Sequence, residues 1–228
     1  MKLDRDGLPF IFAAAVPAVA VTIQGRRRLA LGLALLPAAM AAFFRDPDRS
    51  PDRGLAADED TVLSPADGRV MYVGPADPDA TPEGDWQQIV VFLSVTDVHI
   101  NRAPYAGTVA SVTYRPGRFL AAFTPESGAA NERSEVTVVR DLVDGGQRTV
   151  VSRQIVGMLA RRVVTRVQPG DVVATGERIG LMKFGSRMDV FVPHEVDIWV
   201  TEKDRVVGGE TVLGRWPAAG VAAGGSVT

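Results

Sequence analysis

The sequence predicts a mostly β protein preceded by an apolar helical hairpin, and three observations predict it. Beyond residue 60, short β-branched runs alternate with Gly and Pro punctuation, as in Gln88–Ser94, Gly107–Thr113, Glu135–Val139 and Thr149–Val151. Runs of that length between turn signals read as strands. No segment in this region keeps a long 3.6-residue apolar period. The first fifty residues are a different material, almost uniformly apolar in two blocks.

Those blocks are Leu8–Ile23, apolar except for Thr22, and Leu29–Phe44, apolar apart from Gly32 and Pro37. Gln24-Gly-Arg-Arg-Arg28 separates them. Each block would make a helix of about 24 Å, shorter than the roughly 20 residues a membrane span prefers. Pro9, Pro17 and Pro37 are expected to kink or break helices there. A cleaved signal peptide fits the first block but sits badly with Asp4 and Asp6 and leaves the second unexplained. A buried soluble hairpin conflicts with the lack of amphipathic alternation. The preferred reading is a short hairpin, residues 1–48, entering a membrane from one side, its arginines at the headgroups. That re-entrant geometry places the rest of the chain on the cytoplasmic face as a peripheral or monotopic protein.

Arg45 to Asp60 is polar, with Pro47 and Pro51, and reads as a linker into a β-rich domain spanning 49–228. With 228 residues the chain has room for one sizeable core plus an appendage. A net charge of −2 does not suggest a nucleic-acid partner. The absence of cysteine removes disulfides, thiolate metal sites and a cysteine nucleophile. Only His99 and His194 offer imidazole, too few for a His-rich zinc shell, so no metal is expected.

Within the β domain a turn repeatedly precedes a β-branched strand, at Ser64–Val70, Ala103–Val109 and Val167–Val173. The last continues into Ala174-Thr-Gly-Glu-Arg-Ile-Gly180. That cadence is similar to the turns of lipoyl- and biotinyl-type domains, which implies a barrel-sandwich hybrid architecture. Architecture alone carries no chemistry.

Chemistry enters at Gly185-Ser186, inside Gly180-Leu-Met-Lys-Phe-Gly-Ser-Arg-Met-Asp-Val-Phe-Val-Pro193. A serine after glycine in a tight turn can attack the carbonyl just before it, because glycine has no Cβ to block the approach. Elimination of the resulting ester turns the serine into a pyruvoyl group, a ketone at a new chain end. For Gly-Ser alone an ordinary turn is the commoner meaning, so the surroundings decide.

Four segments supply those surroundings: Leu63-Ser-Pro-Ala-Asp-Gly-Arg69, Val95-Thr-Asp-Val-His-Ile-Asn-Arg-Ala-Pro104, Asn131-Glu-Arg-Ser-Glu135 and Phe184-Gly-Ser-Arg187. Together with Phe43-Phe-Arg-Asp-Pro-Asp-Arg49 and Gly157-Met-Leu-Ala-Arg-Arg162, they resemble the phosphatidylserine decarboxylase family in its short, archaeal-type branch. The resemblance runs from about Leu8 to about Thr201. It implies a self-processing enzyme, cut between Gly185 and Ser186 into a large chain (1–185) and a small chain (186–228) that stay paired. It also implies a covalent pyruvoyl cofactor made from Ser186, a membrane phospholipid substrate, and decarboxylation to phosphatidylethanolamine.

Serine is a poor nucleophile without a base, and His99 is the imidazole the resemblance offers. A carboxylate behind it would be Asp67, orienting the ring and stabilising its cation. Arg102 stands where many members carry a second histidine, which leaves open how His99, which could serve both cleavage and decarboxylation, and His194, eight residues beyond Ser186, divide the proton transfers. Arg102 and Arg133 are candidates for substrate carboxylate or phosphate, since guanidinium matches both. The alternative is a membrane-tethered, non-enzymatic carrier or adaptor of barrel-sandwich type, which would keep an intact chain and modify Lys183. Association into a homo-oligomer is left open.

Overall fold

The computed structural model describes residues 2–49, 58–77, 81–143, 145–158, 162–183 and 186–217. They form two compact units, Met1–Asp48 with Val95–His99, and Arg49–Ser94 with Ile100–Thr228.

The first unit is a helical hairpin closed at its base by a two-stranded ribbon. Strand β1 (Lys2–Leu3) pairs antiparallel with β2 (Arg45–Asp46). Between them run α1 (Leu8–Ile23), α2 (Arg27–Leu33) and α3 (Leu35–Phe43). Helix α1 coincides with the first apolar block. Pro9 falls in its first turn, where the missing N–H costs nothing, and Pro17 stays inside the helix. The second block is broken between α2 and α3 rather than continuous. Pro37 explains this: it cannot donate to the Leu33 carbonyl, and its ring crowds that carbonyl. No residue of α1 is buried. At the base, Phe44 is fully buried, stacks on Phe10 at 5.3 Å and meets Phe43 edge-on at 5.0 Å.

Among its described residues the second unit is built of strands, with one short helix, α4 (Ser127–Ala130). Its largest sheet has eight strands in the order β11 (Val172–Val173), β7 (Gly107–Arg115), β8 (Arg133–Asp141), β9 (Gln147–Val156), β13 (Ser186–Val192), β5 (Gln87–Leu93), β4 (Gly68–Pro75) and β15 (Arg205–Val206). A three-stranded sheet orders β10 (Val163–Thr165), β12 (Arg178–Met182) and β6 (Ile100–Arg102). Another orders β14 (Asp197–Ile198), β16 (Val212–Arg215) and β3 (Thr61–Leu63). The mostly β fold with a helical N-terminus is the one the sequence predicts.

Strand β13 lies in the interior of the large sheet, and all seven of its residues are buried. Met188, Val190 and Val192 join the main core with Ile89, Val91, Leu93, Tyr105 and Trp216. The alternate positions, Arg187, Asp189 and Phe191, face the other side, as a period of two requires. Burying a side chain such as Val190 contributes roughly 1.5–3 kcal/mol.

Candidate active site

Ser186 opens β13 and is fully buried. Its Cα partners are Leu93 on β5 and Val156 on β9, so a strand is hydrogen-bonded on either side of it. Its Oγ has no hydrogen-bond partner among the described residues. A buried hydroxyl left unpaired costs about 1–3 kcal/mol, and its lone pairs are uncommitted. Gly185 and Phe184 lie outside the described residues, as does Arg161.

Two anchors hold the Ser186 end of the sheet. Asn131 is fully buried; its Oδ1 accepts from the Leu120 N–H, and its Nδ2 donates to the Leu120 carbonyl at 2.9 Å and the Val156 carbonyl at 2.7 Å. On the other face Arg187 donates to both oxygens of Asp189, Nε at 2.5 Å and Nη2 at 2.9 Å. Gln88 donates to the same carboxylate at 2.9 Å. These buried charges are paired and hydrogen-bonded, the condition for tolerating them.

The register also places Asp67. Arg69 opposes Phe92, which opposes Arg187, while Leu93 opposes Ser186. The Ala66-Asp67-Gly68 turn therefore lies at the Ser186 end of the sheet, two strands away, roughly 10 Å at the usual strand spacing. A Cβ at Gly68 would come 2.3 Å from the Phe92 carbonyl oxygen, so only glycine allows this approach to β5. The Asp67 carboxylate is clamped. Arg49 Nη1 donates to Oδ1, Arg49 Nη2 donates to Oδ2 at 2.7 Å, and the Gly208 N–H donates to Oδ1 at 2.9 Å. Arg49 Nη1 also donates to the Gly208 carbonyl at 2.9 Å. A carboxylate offers about four lone-pair sites, so these three donors leave one.

His99 belongs to the first unit, whereas Asp67 and Ser186 belong to the second. The His99 ring is fully buried, 4.2 Å from the Phe43 ring centroid. Its Nδ1 lies 3.0 Å from the Asp97 carbonyl oxygen. A carbonyl only accepts, so Nδ1 is the donor in this hydrogen bond. Arg45 donates to the Thr96 carbonyl at 2.7 Å, tying the His99 segment to the base of the hairpin.

The two candidate arginines are held by the protein itself. Arg102 is buried and donates to the Gly176 carbonyl at 2.9 Å. Arg133 donates to the Ala129 and Asn131 carbonyls. Burial, then the like charge of Arg153, pushes its pKa below the ordinary value against the opposing pull of Glu135. His194 is half-exposed at the far end of β13, with Nε2 2.9 Å from Asp85. No group of three or more metal-ligating side chains gathers among the described residues.

Sequence reasoning singled out neither Arg49 nor Asn131 nor the Arg187–Asp189 pair. The pair was legible, since residues two apart on a strand share a face. Arg49 closes the Phe43–Arg49 motif, but its partner is fixed by tertiary approach alone.

A family model described as phosphatidylserine decarboxylase matches residues 36–214. The chain is 43% identical over 217 residues to a phosphatidylserine decarboxylase proenzyme of Symbiobacterium thermophilum, covering 94% of this chain and 96% of the relative. It is 41% identical over 215 residues to the proenzyme of that name from Solibacter usitatus, covering 94% and 97%. A third proenzyme of the same name, from Anaplasma phagocytophilum, is 39% identical over 216 residues, covering 93% and 90%. This does not favour the carrier or adaptor alternative. The chain belongs to the phosphatidylserine decarboxylase family, membrane-associated, pyruvoyl-dependent carboxy-lyases made as proenzymes that convert phosphatidylserine to phosphatidylethanolamine.

Proposed function

We propose that Ser186 is the residue this chain converts to pyruvoyl, with His99 as base and Asp67 as the carboxylate that orients it. Ser186 Oγ attacks the Gly185 carbonyl carbon while His99 Nε2 takes its proton, and the Gly185–Ser186 C–N bond breaks as the ester C–O bond forms. Loss of the Ser186 Cα proton expels the Gly185 carboxylate. Addition of one water then releases ammonia and leaves the keto acyl end on residues 186–228. The resulting pyruvoyl group supplies an electron sink for the carbanion left as carbon dioxide departs, the task of such a cofactor.

This chain's residues position and dry the site. Leu93 and Val156 flank Ser186 in the sheet, and the core behind them excludes water, which strengthens every electrostatic interaction there. Asp67, fixed by Arg49 and Gly208, keeps one lone-pair site to accept the Nε2–H that forms when His99 takes the Ser186 proton, stabilising the cation while Nδ1–H stays on the Asp97 carbonyl. His99 is the one group assigned both proton transfers, removal from Ser186 and return to the product carbon. Arg102 is assigned to the substrate's phosphate or carboxylate; register puts Arg133, the other candidate, on the sheet face opposite Ser186.

Residues 1–48 form the hairpin that enters the bilayer from one face, and residues 49–228 the catalytic domain on the cytoplasmic side. The 19-residue stretch Arg5–Ile23 is long and apolar enough for a membrane. Leu8, Phe12, Val16, Val19 and Ile23 are exposed along it. A diacyl substrate that never leaves the bilayer requires such an anchor.

The observation that carries this reading is the buried Ser186 Oγ, without a hydrogen-bond partner among the described residues, at the start of an interior strand. Intact mass and denaturing electrophoresis test it. Two chains, the smaller of 43 residues and blocked to Edman chemistry, are expected. With substrate and a carbonyl-trapping hydride, the lipid should become covalently attached to that small chain. Ser186→Ala should remain a single 24.3 kDa species; normal processing of that variant overturns the assignment.

A further inference from the structure

The register of the large sheet lines up five arginines in one transverse row. Arg205 opposes Arg69, Arg69 opposes Phe92, and Phe92 opposes Arg187. Arg187 opposes Ile155, Ile155 opposes Arg133, and Arg133 opposes Arg115. Directly opposed residues share a face, so the row crosses seven strands on the face opposite Ser186. Arg205 and Arg69 at one end and Arg115 at the other are exposed, while Arg187 and Ile155 between them are buried, so the accessible charge lies at the two ends of the row. Like charges directly opposed destabilise a sheet, and the row contains two such pairs, Arg205 with Arg69 and Arg133 with Arg115. The next row holds two carboxylates, Asp189 paired with Arg187, and Glu135 paired with Arg153 and, at 3.9 Å, with the exposed Arg115. In a chain of net charge −2, five arginines still fall in this one row.

Apolar surface accompanies it. Phe123, 61% exposed, packs edge-on against Phe92 at 6.2 Å. Beside it a cavity of about 360 Å³ is walled by Met71, Tyr72, Val90 and Phe123, with Arg187 also lining it. Guanidinium groups next to exposed aromatic and thioether side chains suit the boundary between headgroups and acyl chains.

We propose that this row is a second lipid-binding surface, on the β unit itself, which takes the phosphate groups of anionic phospholipids at a bilayer surface, with Phe123 and the cavity receiving apolar portions. It goes beyond the self-cleavage reading and does not depend on it, since binding is measured without turnover.

The test is partition of the full chain into vesicles of phosphatidylcholine with or without phosphatidylglycerol, which is not the substrate. Arg69→Gln, Arg115→Gln and Arg205→Gln are made singly and together, and self-cleavage serves as a check on folding. Each charge removed should weaken partition into phosphatidylglycerol vesicles about five-fold at low salt. Partition into pure phosphatidylcholine should not change, and added salt should shrink the difference. Glycerophosphate in solution should not displace the protein from vesicles. Equal partition of parent and triple variant overturns the proposal. So does displacement by glycerophosphate, which assigns the row to a soluble phosphoester. Equal loss of a single-stranded oligonucleotide and of vesicles makes it a general polyanion surface and also overturns the lipid assignment.

Discussion

The hairpin turns its large apolar side chains outward, whereas the β unit draws even charges inward. Val16 of α1 is 63% exposed, while Val190 of β13 and the Arg187–Asp189 pair are buried. A valine is worth burying in either place, so the contrast lies in the medium. The β unit supplies its own apolar interior; on the proposed reading the hairpin takes one supplied from outside.

A matched pair of substitutions tries to break that contrast. Val190→Asp places an unpaired carboxylate in a closed core, costing several kcal/mol against a typical total stability of 5–15. No soluble, processed protein is expected, judged by expression and intact mass. Val16→Asp should fold and self-cleave normally but leave the membrane fraction on flotation. If both variants behave alike, the two regions do not differ in solvent.

Smaller changes sharpen the contrast where the connector meets the chemistry. Arg49→Ala removes two charge-assisted bonds from Asp67 and should slow self-cleavage about ten- to a hundred-fold, with Arg49→Lys intermediate. In an Asp67→Asn background the same change should add little. An undiminished effect there would mean that Arg49 does not act through Asp67. Phe43→Leu loses the ring against His99, a contact worth about 0.5–1.5 kcal/mol, and should slow cleavage several-fold with thermal unfolding little altered. Pro37→Ala should merge α2 and α3, raising helical circular dichroism slightly while the cleavage rate stays unchanged.

How far the sequence could be read depends on the range of the interaction. Helix α1 and the cores of β5, β7, β8 and β9 were legible because apolar period and turn residues act locally. Their ends were not; β9 runs to Val156, well past the β-branched Thr149–Val151. The break in the second helical block was legible as well, since Pro37 was expected to kink or break a helix there and a proline acts on the turn just before it. Ser186, His99 and Asp67 are candidates named from motifs, but their partners in the structure were not legible there. Asp97 offers His99 a backbone carbonyl, invisible as a side-chain pattern, and Gly208 approaches Asp67 from 141 residues away. The arginine row is likewise silent in sequence, because its members are scattered from 69 to 205 and meet only through strand register.

The residues after position 185 are woven through the β unit: β13 lies inside the large sheet, β15 forms its edge, and β14 and β16 belong to another sheet. If the bond before Ser186 is cut as proposed, the mature enzyme is a two-component object assembled while it was still one. Denatured and diluted, its parts would face a concentration-dependent search in place of a loop closure. Its durability in use is therefore set by how slowly it comes apart, not by any equilibrium it can regain.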